Sequence, residues 1–160
     1  MTTIEYPITT GVRFLRNQNI AFVPYVYAYE HRGGTATSAR ELGIDEHRII
    51  KTLVMEIDPR NQFLVLMHGD KEVSTKQLAR TLNVKSVSPV SEQTAQRVTG
   101  YQVGGISPFG TKQRLPVYAE QSIFALPQIV INGGKRGFLV EVDTADVQRV
   151  LNVMVVNVAV

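Results

Sequence analysis

The chain has 160 residues, 44% of them hydrophobic and 19% charged, a balance that excludes a disordered chain and predicts a single globular domain spanning residues 1–160. It has no cysteine, which excludes a disulfide framework, a thiolate zinc site and a thiol nucleophile supplied by the protein. The net charge of +3 is unevenly placed: residues 60–136 carry ten Lys/Arg against four Asp/Glu, a surplus that a polyanion-binding face needs and that a solvated surface also shows.

The start, Met1 to Pro7, lacks the basic-then-apolar pattern of a leader, and no stretch approaches the ~20 apolar residues of a membrane span. A cytoplasmic protein without a membrane partner is the expectation. Thr9 and Thr10 precede Val12, Leu15 and Arg16, predicting a short first helix that ends near Asn17–Asn19. From Phe22 to Glu30 the residues alternate, with Tyr25, Tyr27 and Tyr29 on one face, as in a strand. Ser38 to Glu41 has the form of a capping box and Gly43 that of a helix stop. Ile49–Ile57 and Gln62–Met67 read as a hairpin around the turn Asp58–Asn61. Ser74 to Gln77 is a second capping box, opening a helix with Leu78, Ala79 and Leu82 inward, and Ser91–Val98 reads as another helix. Leu115–Glu120, Gln128–Ile131 and Phe138–Val142 read as strands. Asp143 and Thr144 open a last helix, and Val153–Val158 closes as a strand. The order suits no doubly wound parallel sheet; it predicts an α+β domain with a mixed, strongly bent β-sheet and flanking helices.

Two glycine-rich elements stand out. Thr99 to Gly110 packs four glycines, a proline, a serine and a tyrosine among Val103, Ile106 and Phe109. Neither a polar linker nor a central strand has that composition, so it reads as an ordered loop whose bare backbone approaches something closely. Asn132 to Gly137 sets Lys135 and Arg136 inside a second glycine frame. Lys51 is the third feature. Alternation places it on the strand face of Leu53, Met55 and Ile57, where an ammonium needs a carboxylate, an escape to solvent or an anionic ligand. The tyrosine stripe could stack on a nucleobase or form a half-buried strand face. His31, His47 and His68 show no metal-site spacing, and His31 at a strand end is an acid–base candidate. Ser107 has no assignable base. An active site here would consist of backbone amides and Lys51, a set suited to oxyanion stabilisation and phosphate anchoring.

Thr99-Gly100-Tyr101-x-Val103-Gly104-Gly105-Ile106-Ser107-Pro108-x-Gly110 closely resembles the signature of the YbaK/EbsC-type Cys-tRNA(Pro) deacylases, relatives of the editing domain inserted in bacterial prolyl-tRNA synthetases. Lys51-Thr52-Leu53 resembles that family's lysine motif, Gly133 to Gly137 its second glycine loop, and Tyr29-Glu30-His31 its first-strand ending, in the same order over nearly the whole chain. Against the family pattern, His31–Thr37 is shorter, Asn132 stands in place of a serine, and Phe109 replaces a leucine.

The resemblance implies a deacylase that acts in trans on a mischarged tRNA, tRNA(Pro) foremost, with prolyl-tRNA synthetase as a partner and with no cofactor or metal. It implies Lys51 as the phosphate anchor and Gly104, Gly105 and Ser107 as the catalytic loop. Tyr29, Tyr101, Ile106, Pro108, Asn132, Gly133, Gly134, Lys135 and Arg136 are the implied substrate-binding residues. It also implies attack by the substrate's own thiol, or by water, which would explain the missing nucleophile. A non-catalytic tRNA- or synthetase-binding module is the alternative reading of the same basic surface.

Overall fold

The computed structural model describes residues 4–160; the first three residues of the N-terminal segment read above lie outside them. Among the described residues the elements run α1 (Thr10–Asn17), β1 (Val23–Val26), α2 (Gly34–Leu42), β2 (Ile49–Asp58), β3 (Asn61–His68), α3 (Thr75–Leu82), β4 (Ser88–Pro89), α4 (Glu92–Thr99), β5 (Val117–Glu120), β6 (Gln128–Lys135), β7 (Phe138–Asp143), α5 (Thr144–Leu151) and β8 (Met154–Val156). Short 3-10 turns at Glu46–Arg48 and Gln121–Ala125 complete the chain. No helix among these residues is long and apolar enough to cross a membrane.

The strands form one mixed sheet in the order β1-β7-β6-β2-β3-β5-β8, with β4 paired to β2 off that path. Pairing is parallel for β2–β6, β3–β5 and β5–β8, and antiparallel elsewhere. The α+β class with flanking helices is the one the sequence predicts. β3 explains the layering: Phe63 to His68 are all buried, because both faces of this strand are covered. Leu64 and Leu66 join Val12 and Leu15 of α1, Val98 of α4 and Val147 of α5 in the main core. Phe63, Val65 and Met67 face the other way, onto Leu78 and Ala79 of α3.

Several expected boundaries move. The strand read as Phe22–Glu30 ends at Val26. The Tyr27 amide still reaches the Gly137 carbonyl (3.0 Å), and the chain then turns out of the sheet. The capping box at Ser38 is not a helix start: α2 begins at Gly34, and Ser38 is a buried mid-helix residue whose hydroxyl donates to the Thr35 carbonyl (3.1 Å). Gly43 does end that helix, at φ +65°. The boxes at Ser74 and Ser91 behave as predicted, their hydroxyls accepting from the Gln77 and Thr94 amides. Asp143 makes no side-chain cap; its carboxylate instead accepts from Gln128 Nε2 (3.2 Å). The second glycine element belongs to β6, which continues to Lys135 through a register shift between Asn132 and Lys135.

Candidate functional site

Strand β2 is paired by β3 along one side, but its other side is split. β6 meets only Ile49 and Ile50 there, and β4 only Met55 and Glu56. Residues 51–54 therefore have no strand neighbour on that side among the described residues. The Val54 carbonyl accepts from the Val90 amide (3.2 Å), so by alternation the peptide groups of Thr52 also face the gap. A cavity of about 470 Å³ opens at this split. Its apolar wall includes Ile50, Val54, Val90, Ala95, Val103 and Ile106; Tyr29, Lys51, Gly104, Asn132 and Arg136 add polar groups.

The two glycine elements are packed on each other. A Cβ on Gly105 would lie 2.7 Å from the Arg136 amide nitrogen and 2.8 Å from the Lys135 carbonyl carbon. Gly104 has φ +93°, and a Cβ there would lie 2.6 Å from the Tyr29 hydroxyl. The approach that the glycines permit is thus first of all between two pieces of this chain. Side chains fasten the contact. Asn132 Nδ2 donates to the Gly104 carbonyl (3.3 Å), and Arg136 Nε donates to the Val103 carbonyl (2.8 Å). The Asn132 side-chain oxygen, Oδ1, accepts from the amides of Gly134 (2.7 Å) and Lys135 (3.1 Å), holding the bulge of β6. Arg136 also lies over the Tyr29 ring, 5.1 Å from its centre.

These contacts sort the glycine-loop residues. The Gly105 amide is spent on the Gln102 carbonyl (2.8 Å), while the amides of Gly104 and Ile106 have no acceptor among the described residues. Ser107, fully buried, and Pro108 do not line the cavity. The Ser107 hydroxyl accepts from the Phe109 amide (3.1 Å). Tyr101 is buried too and donates to the Phe109 carbonyl, with burial pushing its hydroxyl up to about 12. Both side chains hold the loop's shape from behind. Gly133, Gly134 and Lys135 also lie off the cavity wall, and Gly133 is pressed against the Phe138 ring.

Lys51 lines the cavity, with 19% of its side chain exposed. Its ammonium donates to the Lys71 carbonyl (2.5 Å) and to Glu72 Oε1 (3.2 Å), so of the three outcomes its sequence position left open a carboxylate partner is present. Glu72 is 79% exposed, which leaves that partner free to yield to a ligand anion. Tyr27 and Tyr29 reach the cavity wall, whereas Tyr25 packs in the small core of Ile49, Val130 and Leu139. Thr52 was missed by the sequence reading. The available signal was a polar residue between Ile50 and Val54 on the same strand face.

The histidines separate as well. His31 is exposed at the cavity edge. His47, His68 and Asp70 lie together although their spacing gave no hint of it. His68 is fully buried, donates from Nδ1 to the His47 carbonyl (2.7 Å) and accepts at Nε2 from the Ser122 hydroxyl (2.7 Å). Both its ring nitrogens are spent within the protein, and its ring stacks on that of His47 at 3.7 Å.

The sequence that builds this cavity belongs to a known class. The sequence model of the aminoacyl-tRNA editing domain matches residues 30–150, which contain every cavity residue named above except Tyr27 and Tyr29, and the chain belongs to that family. It is 30% identical to an Enterococcus faecalis protein that carries the provisional name Cys-tRNA(Pro)/Cys-tRNA(Cys) deacylase EbsC, over 83% of this chain and 82% of that one. It is also 29% identical to 15% of the length of proline–tRNA ligase from Brachyspira hyodysenteriae, over 54% of this chain. Among solved structures, one provisionally described as a trans-editing enzyme for prolyl-tRNA synthetase superposes with a TM-score of 0.79 at 17% identity, covering 93% of this chain and 96% of that one. The hypothetical protein APE2540 superposes with a TM-score of 0.84 at 18% identity, covering 94% and 99%.

Proposed function

We propose that this protein is a trans-acting editing deacylase that cleaves the ester of a mischarged aminoacyl-tRNA, with Cys-tRNA(Pro) as its substrate. The supporting observation is that Lys51, Gly104, Ile106, Asn132 and Arg136 line one cavity inside the editing-domain segment, and that the amides of Gly104 and Ile106 have no acceptor among the described residues. Lys51 exchanges Glu72 for a phosphate near the tRNA 3′ end, a natural partner for a compact ammonium. The amides of Gly104 and Ile106 receive the ester oxygen as it gains charge. Asn132 and Arg136 keep Gly104 in place by holding the consecutive carbonyls of Gly104 and Val103.

The attacking atom is the substrate's own thiol sulfur, or a water. With the thiol, a carbon–sulfur bond forms at the ester carbon, the bond to the ribose oxygen breaks, and that oxygen takes up the thiol proton. The amino acid leaves as a thiolactone, and the protein contributes no nucleophile. The tRNA is the partner, the basic surplus of residues 60–136 favours its phosphates, and prolyl-tRNA synthetase is the proposed second partner. The decisive measurement is the rate of ester loss from purified Cys-tRNA(Pro). Lys51→Ala should lower kcat/KM about 10–100-fold, the value of one lost hydrogen bond to a charged group, with unchanged thermal unfolding. An unchanged rate removes Lys51 from the site. No ester loss from the parent protein, with tRNA still bound, leaves a binding module instead.

A further inference from the structure

Thr52 holds the one buried side-chain polar atom without a hydrogen-bond partner among the described residues, its Oγ1. It lies on β2 beside Lys51, on the strand face of Ile50 and Val54, and it lines the cavity. Its own peptide N–H and C=O face the unpaired side of the strand. The apolar part of the cavity wall continues from Thr52: Ile50 and Val54 belong to the main core, and Val103 and Ile106 pack against that core. An unpaired hydroxyl in such a wall is costly unless something pairs with it. Valine has the same shape and would remove that cost.

We infer that Thr52 is a specificity-determining residue of the aminoacyl pocket, selecting a substrate whose small side chain carries a hydrogen-bonding group, a thiol or a hydroxyl, over the methyl of alanine. The inference rests on the deacylase reading above. The Thr52 Oγ1 is shielded from solvent while the residue itself borders the cavity, and a rotation of about 120° about Cα–Cβ carries the hydroxyl to the place the methyl holds. In that rotamer the hydroxyl meets the side chain of a bound aminoacyl group. A cysteinyl or seryl group supplies the missing partner, and an alanyl group leaves the hydroxyl as orphaned as before. A site that pairs a polar group discriminates by leaving it unpaired with the wrong substrate.

The test compares the parent protein with Thr52→Val and Thr52→Ser on tRNA(Pro) charged with cysteine, serine or alanine, reading kcat/KM for ester loss. Thr52→Val should lose about tenfold on the cysteinyl and seryl esters and stay within twofold on the alanyl ester, so that selectivity collapses. Thr52→Ser should keep the parent order of preference. Thermal unfolding of Thr52→Val should match or exceed that of the parent, since an unpaired hydroxyl has gone. Equal losses on all three esters, or none on the cysteinyl ester, overturn the role of Thr52 while leaving the deacylase reading intact. A parent protein that cleaves none of the three overturns both.

Discussion

Lys51 shows how one residue's setting was half legible. Alternation along β2 says that its ammonium needs a partner or an escape to solvent, but only the fold supplies Glu72 and the Lys71 carbonyl from the loop after β3. This partnership suggests a substitution outside the cavity wall. Glu72→Gln keeps the side chain's shape and leaves the ammonium free for a phosphate. Because Glu72 is largely exposed, its pair contributes at most about 1 kcal/mol. KM for aminoacyl-tRNA should therefore fall by about two- to fivefold at low salt, and the gain should shrink as salt is added. A higher KM would show that Glu72 helps the substrate. Ser107 and Tyr101 illustrate the opposite outcome. The family resemblance implies catalytic and binding roles for them, yet both side chains are buried and bonded to the Phe109 backbone, because a turn needs its own peptide groups satisfied.

At the scale of elements, the glycine loop and the β6 bulge make a single device. Separate in sequence, they interlock at Gly104, Gly105, Asn132 and Arg136. Gly105→Ala places a methyl within 3 Å of the backbone of Lys135 and Arg136, neither of which can swing aside. Overpacking of this kind costs about 1–3 kcal/mol. Denaturant unfolding should show that loss, and ester cleavage should fall further than stability alone explains because Gly104 and Ile106 are displaced with the loop. A variant with parent stability and rate would mean that the two elements separate easily. Helix starts show the limits of local signals. Ser74 and Ser91 cap as their sequences predict, whereas Ser38 belongs inside α2. There the preceding turn, closed by the Gly33 amide on the Glu30 carbonyl, starts the helix four residues earlier.

For the whole molecule, a titration separates the folded from the unfolded chain. His68 lies below its ordinary value of 6.5, chiefly because burial penalises the imidazolium; its hydrogen bond to the His47 carbonyl and the charges of Asp70 and Glu120 oppose this, while the charge of His47 adds to it. The neutral ring is favoured in the fold, so its contribution is present above pH 6.5 and is lost as pH falls through the lowered value. Asp70 is also lowered, but from 3.8, and so acts in a more acid range. The denaturant midpoint should therefore drop between pH 7.5 and pH 5; a constant midpoint would mean that His68 takes up its proton equally in the folded and unfolded chain. The sequence by itself determined the α+β class, the hairpin of β2 and β3, two capped helix starts and the glycine-bearing segments, all of them carried by neighbours within a few residues. Only the tertiary structure decided that β2 is split between β6 and β4, that Lys51 meets Glu72, and that Thr52 keeps an unpaired hydroxyl beside a cavity. Those facts depend on where distant strands begin and end against one another, and pairing between remote segments leaves no local pattern in the chain.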